Sequence, residues 1–471
     1  MKIALVHAPF GHRAFSENLR VVDEEFIHAP PLVLAYVAAF AERAGHQVAL
    51  IDAHIAGLSV AETAARITAF GAAAIGLRTD VYNFRQTLSW IEQLRQATGL
   101  PVFVGGIGMT EYPVEAMSHA AIDYGVTGEA VESLPRLLDA LQGRGAPADV
   151  PGLLWRDGGA LRRNPLPAAP ADFNDYPFPA RHLLDNARYH SFVSKRRNFT
   201  IMVTSTGCPF HCAFCEIAPL HYRVRDPGKV ADEVDECCRR HGVREIDFFD
   251  ATFFIDKARS LEICGRIARL GHDLEWTCRA RVDLVDDELI GAAAKAGLRM
   301  VNFGIEAASP EILRNVNKGI EPGQVREAIR LCRRHGVKTL GFFMIGNPGE
   351  TAATVEETIR YMCSLDLDYV QVCRTIPKPG SALNRQIVAE TGRDLWAEYV
   401  RGTYPEQRLP TPWTTLTQEQ VERYLRRAYA RFYFRPGLVA RTVRGVRSVD
   451  ELRRYLRVGL RMLYRNTTDV G

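Results

Sequence analysis

Two series of short apolar runs, each run followed by a helix-length segment, fill most of this chain, and that alternation restricts it to an α/β fold of parallel sheets covered by helices. In the first series the strand-like runs are residues 3–7, 48–53, 72–77, 101–105 and 122–126. They predict a doubly wound parallel sheet of five strands within residues 1–145. Such a sheet binds ligands beyond the carboxyl ends of its strands, beside the point where the strand order reverses. The relevant loops are therefore 7–12, 78–84, 105–110 and 127–130. Gly105, Gly106 and Gly128 lie in or beside two of them and let a bulky ligand approach the backbone. The second series has its strand-like runs at 200–206, 245–250, 274–281, 300–306, 339–346 and 369–375. Six βα repeats are two short of a closed eightfold barrel, so residues 198–385 are expected to form a partial TIM-like (βα)6 barrel, with its site at the carboxyl ends of the strands. Between the two, residues 146–197 hold a hairpin at 152–163 around Asp157-Gly158 and then a proline-rich linker without regular structure. Residues 386–471 follow a helical pattern.

The bulk properties narrow the setting. The chain has 471 residues, 47% of them hydrophobic, enough for two or three cored domains. No basic and apolar leader precedes the first strand-like run, and the apolar stretch 30–40 is too short to span a bilayer. A cytoplasmic protein without a transmembrane segment is the expectation. A net charge of +4 over this length argues against nucleic acid as a partner. From Val421 onward, however, thirteen arginines face four acidic residues. That excess fits a solvated helical face, a membrane-surface patch or a clamp over an anionic substrate.

The ten cysteines divide sharply. Seven of them, Cys237, Cys238, Cys264, Cys278, Cys332, Cys363 and Cys373, show no framework spacing and read as reduced packing residues. The other three form the run Cys208-Pro-Phe-His-Cys212-Ala-Phe-Cys215, directly after the first strand of the second series. Three thiolates on one short loop suit an iron–sulfur cluster and leave one iron of a four-iron cluster without a protein ligand. A zinc site and three unrelated buried cysteines are the alternatives, although structural zinc asks for a fourth ligand.

This loop resembles the cluster-binding loop of radical SAM enzymes. The resemblance implies a [4Fe-4S] cluster on Cys208, Cys212 and Cys215, whose open iron chelates S-adenosylmethionine and splits it to a 5'-deoxyadenosyl radical. It implies further cofactor contacts. Phe214 would pack near the adenine, Asp250 would meet the methionine amine, and Glu306 would bond the ribose hydroxyls. The run Gly346-Asn347-Pro348-Gly349-Glu350-Thr351 resembles a signature turn after the fifth strand. Helix capping is the other reading of Asp250 and Glu306. Arg279 and Arg281 share one face of the third strand, and either could neutralise the substrate or the SAM carboxylate if that face lines the barrel.

A sheet domain ahead of the barrel, Gly128-Glu129 after its fifth strand, Tyr222-Arg223-Val224-Arg225 and Arg431-Phe-Tyr-Phe-Arg-Pro436 resemble the cobalamin-dependent subclass. Within it, the pattern is most similar to the group holding the anaerobic magnesium-protoporphyrin ester cyclase and many methyltransferases. Cobalamin contacts are then expected from Gly105, Gly106, Gly128 and Glu129, with Arg78, Thr79 and Tyr82 lining the lower face of the cobalt. Asp52-Ala-His54-Ile-Ala-Gly57 matches a DxHxxG cobalt-ligand pattern, but it follows the second strand instead of the first and reads as a coincidence. In that reading Asp52 ends a strand and Ser59 caps the next helix, while His7 and His12 remain possible ligands. The implied activity is methylation of an unactivated carbon, with oxidative cyclisation as the alternative and a non-enzymatic cobalamin sensor behind both. The implied partners are a small-molecule substrate, anionic or lipid-like, and a reducing donor such as flavodoxin or ferredoxin. Cys373, at the end of the sixth strand, is either a hydrogen donor or acceptor at the barrel mouth or a core thiol.

Overall fold

The computed structural model describes residues 1–9, 27–167, 169, 171–191, 196, 198–404 and 413–445. His12 and most of the arginine-rich segment after residue 440 lie outside the described residues. In the first sheet β1 (Lys2–His7) is central, while the short β2 (Ile27–His28) pairs elsewhere. β3 (Gln47–Asp52), β4 (Ala74–Arg78), β5 (Val102–Gly105) and β6 (Tyr124–Val126) join β1 in the parallel order β3-β1-β4-β5-β6. The order reverses between β1 and β4, which sets the ligand crevice at their carboxyl ends. Helices Leu32–Arg43 and Ala130–Leu141 cover one face through Leu34, Leu134 and Leu137, and helices Val60–Phe70 and Phe84–Thr98 cover the other through Ile67, Leu88 and Ile91.

The expected five strands are the parallel ones, and the sheet has two more. The hairpin β7 (Leu153–Asp157) and β8 (Ala160–Arg163) does not stand with the linker; it pairs antiparallel onto β6 and extends the sheet to seven strands. Its two-residue loop is Gly158-Gly159, with φ of 56° and 86°, the twist that tight hairpins need.

The segment after the hairpin is less featureless than its prolines suggest. It carries 3-10 turns at Phe173–Asp175, Arg181–Leu183 and Asn186–Arg188, and β9 (His190–Ser191), which pairs with β2. The second sheet is wholly parallel and runs in chain order: β10 (Phe199–Met202), β13 (Glu245–Phe248), β14 (Glu275–Ala280), β15 (Leu298–Glu306), β16 (Lys338–Ile345) and β17 (Tyr369–Arg374). The small ladder of β11 (Ser205–Thr206) and β12 (Arg223–Val224) stands apart from it. Helices Pro227–His241, Lys257–Leu270, Asp287–Lys295, Pro322–Arg334 and Ala352–Ser364 bury one face against Phe248, Trp276, Val301, Phe343 and Val372. The opposite face carries Met300 and Leu340 with Phe342 and Tyr369.

The C-terminal region is not one unit. Helix Leu395–Arg401 packs Trp396, Tyr399 and Val400 into the core of the first sheet, whereas helix Gln418–Tyr433 packs Val421, Leu425 and Phe432 onto the second. The two sheets also share a buried ionic group. Arg181 from the linker meets Glu233 at 2.8 Å, and Arg225 bonds the same carboxylate and reaches the Tyr36 hydroxyl at 3.3 Å. Arg225 sits between the rings of Phe173 and Phe178. Arg181, Arg225 and Glu233 are 2%, 1% and 0% exposed, so removing the anion leaves two guanidinium ions stranded out of water. Glu233→Leu is expected to destabilise the protein by about 3–5 kcal/mol, read as a lower urea midpoint than that of the parent.

Candidate functional site

The cysteine loop runs from β11 to β12, whose pairing of Ser205 with Val224 and Thr206 with Arg223 clamps both of its ends. Within it, Ala213 N–H donates to Val316 O at 2.9 Å and Ala213 O accepts from Leu383 N–H at 2.8 Å, while Asn317 Nδ2 donates to His211 O at 2.8 Å. Cys208, Cys212 and Cys215 are half-buried free thiols, and Phe214 beside them is half-buried too. Burial pushes the thiols of Cys208 and Cys212 up, the nearby Cys215 adds to this, and Arg281 and Lys318 pull the other way. Arg281 lies 3.9 Å over the ring of Phe210, inside the loop, and forks onto Asp283 at 3.0 and 2.9 Å. It also donates to the carbonyls of Lys318 and Gly319, which ties that turn to the cysteines.

Glu306 ends β15 in a left-handed conformation, φ 67°, beside a register shift. Its carboxylate accepts from Lys318 Nζ at 2.7 Å, and both side chains are buried. Gly304 makes room for the pair, since a Cβ there would lie 2.6 Å from Lys318 Nζ. Burial pulls the Lys318 ammonium down, but Glu306 and Cys212 outweigh it and hold it above its usual value. Lys318 was not legible in the sequence, where it stands alone in an Asn-Lys-Gly turn without any periodic signal.

Asp250 is held by the strand end that precedes the cysteine loop. Its Oδ1 accepts from Thr204 N–H at 2.6 Å, and its Oδ2 from the hydroxyls of Thr204 at 2.5 Å and Ser205 at 2.9 Å. The carboxylate therefore braces the strand end that carries the cysteine loop and is fully buried, with its pKa pushed up by that burial. Arg279 points away from the helices, because its neighbours Cys278 and Ala280 face them. It pairs with Asp247 at 3.1 Å and stacks 3.6 Å from the Phe249 ring centre. Cys373 shares that inner side with Gln371, since Val370 and Val372 face the helices, and its thiol donates to Phe343 O at 3.5 Å.

The turn at Gly346, φ 91°, is closed by its own glutamate. Glu350 accepts from Gly346 N–H and, at 3.0 Å, from Asn347 N–H, and Trp413 Nε1 donates to Gly346 O at 2.9 Å. Burial pushes Glu350 up to about 7, against the pull of those two N–H groups. A carboxyl raised in the folded state gives stability that is whole below the unfolded value and is lost as pH rises through about 7. Glu350→Gln is therefore expected to gain in melting temperature relative to the parent between pH 5 and pH 8, by the equivalent of ~3 kcal/mol or less. A pH-independent difference between the two melting curves would contradict this.

At the first sheet, Thr79 is buried and its N–H donates to Gly105 O at 2.8 Å. Gly106, φ 103°, presses against it, since a Cβ there would come within 2.3 Å of Thr79 O. Arg78 is exposed, 3.8 Å from Asp80, and Gly128, φ 70°, donates its N–H to Thr110 Oγ1 at 3.1 Å. Glu129, after β6, pairs its carboxylate with Arg223 of β12 and accepts from the Tyr176 hydroxyl at 2.6 Å. Tyr82, in the turn after β4, donates its hydroxyl to Glu216, the residue after Cys215, at 2.9 Å. Asp52 caps helix Ala53–Ala56 through Ile55 N–H and bonds His7 Nδ1 at 3.0 Å, and Ser59 forms a capping box with Glu62. His54 packs near the rings of His7 and His28, at 5.9 and 6.1 Å.

A model of the B12 binding domain matches residues 27–138, and a model of the radical SAM superfamily matches residues 202–362. A Pyrococcus horikoshii protein described as an uncharacterized methyltransferase is 32% identical over 456 residues, 94% of this chain and 95% of its own. This chain belongs to the cobalamin-dependent radical SAM enzymes. The anaerobic magnesium-protoporphyrin IX monomethyl ester cyclase of Rubrivivax gelatinosus is 28% identical over 76% of this chain and 66% of its own length. Among solved structures, the radical S-adenosylmethionine methyltransferase TsrM of Kitasatospora setae, with cobalamin and a [4Fe-4S] cluster bound, superposes with a TM-score of 0.65 at 22% identity, over 83% of this chain and 78% of that one. The fold is thus shared with a cobalamin-binding radical SAM protein. No helix among the described residues is long and apolar enough to cross a membrane.

Proposed function

We propose that this protein methylates an unactivated carbon of a small molecule, using a [4Fe-4S] cluster, S-adenosylmethionine and cobalamin. The observation that carries the reading is that the clamped three-thiol loop abuts the ligand loops of the first sheet, through Tyr82–Glu216 on one side and Glu129–Arg223 on the other. The donor chemistry fits the cluster: three half-buried thiols on one loop, with two cations beside them to balance an anionic centre. Among the described residues no three such side chains converge on the point one metal ion would fill. A four-iron cluster asks for less convergence, because each thiolate takes a different iron.

In this reading residues 1–145 hold cobalamin, 146–197 connect, 198–385 form an open six-stranded barrel, and 386–471 are a C-terminal helical region whose helices Leu395–Arg401 and Gln418–Tyr433 pack one on each domain. Phe214, Glu306 with Lys318, and the Gly346 turn border the SAM site, and Arg78, Thr79, Gly105, Gly106 and Gly128 border the corrin. When bound, these cofactors supply a carbon-centred radical and a transferable methyl group. The chain's own share is to fix reactants in line and to keep water out. Its inner barrel face suits that, with Met300, Leu340, Phe342 and Tyr369 forming an apolar floor beside Arg279. An external reductant such as flavodoxin or ferredoxin delivers the electron.

Incubation with candidate substrates under anoxic conditions, followed by product mass, tests the reading. Gain of one methyl group with two SAM consumed supports it, whereas loss of hydrogen or gain of oxygen without a methyl favours the cyclase chemistry named for the Rubrivivax relative. Changing Cys208, Cys212 and Cys215 to alanine is expected to remove the iron and all SAM cleavage. Cys373→Ala is expected to lower product formation with iron content unchanged, and full turnover in that variant would exclude the thiol from the chemistry.

A further inference from the structure

We infer that Glu216 is a positioning residue, and that its hydrogen bond with Tyr82 fixes the spacing between the cysteine loop and the ligand crevice of the first sheet. This rests on the reading of those two places as the cluster and cobalamin sites. The contact joins residues 134 positions apart in the chain, and both of its ends are rigid. On the side of the first sheet, Asp80 accepts from the backbone N–H groups of Tyr82 and Asn83 at 3.0 and 3.3 Å, which fixes the turn after β4. The Tyr82 ring is 7% exposed and meets Trp396 edge-on at 5.3 Å between ring centres. Trp396 is itself held by its indole N–H on Pro377 O at 2.6 Å. On the other side Glu216 follows Cys215 directly, in the loop whose Ala213 is pinned from Val316 and from Leu383.

Several charged groups surround this carboxylate. Glu111 lies close enough that burial and then Glu216 raise its pKa, Arg385 pulls the other way, and Asp394 adds to the rise. Asp394 accepts from the Tyr112 hydroxyl at 3.2 Å and from the N–H groups of Trp396 and Ala397. A neutral hydroxyl donor fixes the direction of the Glu216 side chain without cancelling its charge. A strut of this kind sets geometry at a hydrogen bond's precision, and displacement of a reacting centre by about 1 Å is enough to cost orders of magnitude in rate.

The test uses the holoenzyme with both cofactors loaded, comparing the parent with Glu216→Gln, Glu216→Leu and Tyr82→Phe. The first readout is the magnetic coupling between the reduced cluster and cobalt(II) of bound cobalamin, which reports their separation independently of turnover. The parent and Glu216→Gln, which keeps an acceptor oxygen, are expected to give one narrow distance distribution. Glu216→Leu and Tyr82→Phe are expected to broaden or shift it, with iron and cobalt content retained. The second readout is the ratio of SAM methyl transfer to the corrinoid over SAM cleavage to 5'-deoxyadenosine, expected to fall about tenfold in Glu216→Leu and to recover in Glu216→Gln. An unchanged distribution and ratio in both Glu216→Leu and Tyr82→Phe overturns the inference. Parent protein that loads no cluster or no cobalamin instead overturns the functional reading on which it rests.

Discussion

Three thiols on one short loop bind a cluster only if the loop cannot collapse or swing, and here both of its stems are fixed before any cofactor contact is made. The β11–β12 ladder closes the loop at its neck. Asp250 locks the incoming stem through Thr204 and Ser205, and Arg259, also nearly buried, donates to the carbonyls of Thr204 and Arg225 on the two stems. Asp250 therefore serves the site from behind. Its burial would be costly for a free carboxylate, and three donors on its two oxygens compensate.

The second requirement is that two independently cored sheets hold one relative arrangement. An apolar interface alone would permit sliding, whereas buried ion pairs and hydrogen bonds have narrow geometry. Arg181, Arg225 and Glu233 supply this on the linker side, and helix Leu395–Arg401 supplies it on the other. That helix follows the second sheet in the chain yet packs on the first, so the polypeptide crosses back and straps the domains together. Arg85 donates to the carbonyls of Tyr399 and Tyr404, and Arg401 pairs with Glu115 at 2.8 Å, which seals the strap along its length.

What the sequence disclosed and what it withheld follow from the range of the interactions. Strand alternation, helix caps at Asp52 and Ser59, and the cysteine spacing are local, and each was legible. The docking of the hairpin on β6, the splitting of the C-terminal helices between two cores, and the long-range partners of Glu129 and Tyr82 were not. In each case a partner far along the chain decides the outcome: Arg223 for Glu129, Glu216 for Tyr82, the edge of β6 for the hairpin. Lys318 belongs with these, for only the fold brings it to Glu306 and Cys212. The ambiguity of Arg279 and Arg281 had the same root. Alternation places both on one face, but the helix-facing Cys278 and Ala280 are needed to say which.

The charges around the thiols complete the logic of the site. Burial favours the neutral form of Cys208 and Cys212, so without metal these two thiols add little charge beside the cations. Unpaired cations beside it would then be a burden, and Arg281 and Lys318 each have an anion, Asp283 and Glu306. Arg281 keeps its place over the Phe210 ring while it forks onto Asp283, and Lys318 is held by Glu306. Cluster binding would require these thiols as thiolates, and Arg281 and Lys318 would then offset the added negative charge. Preorganised charge of this sort needs no rearrangement when the ligand arrives. The same pairing explains why Gly304 has no side chain: a methyl group there would collide with Lys318 Nζ and Glu306 Oε1 together, and separate the pair that keeps the site balanced.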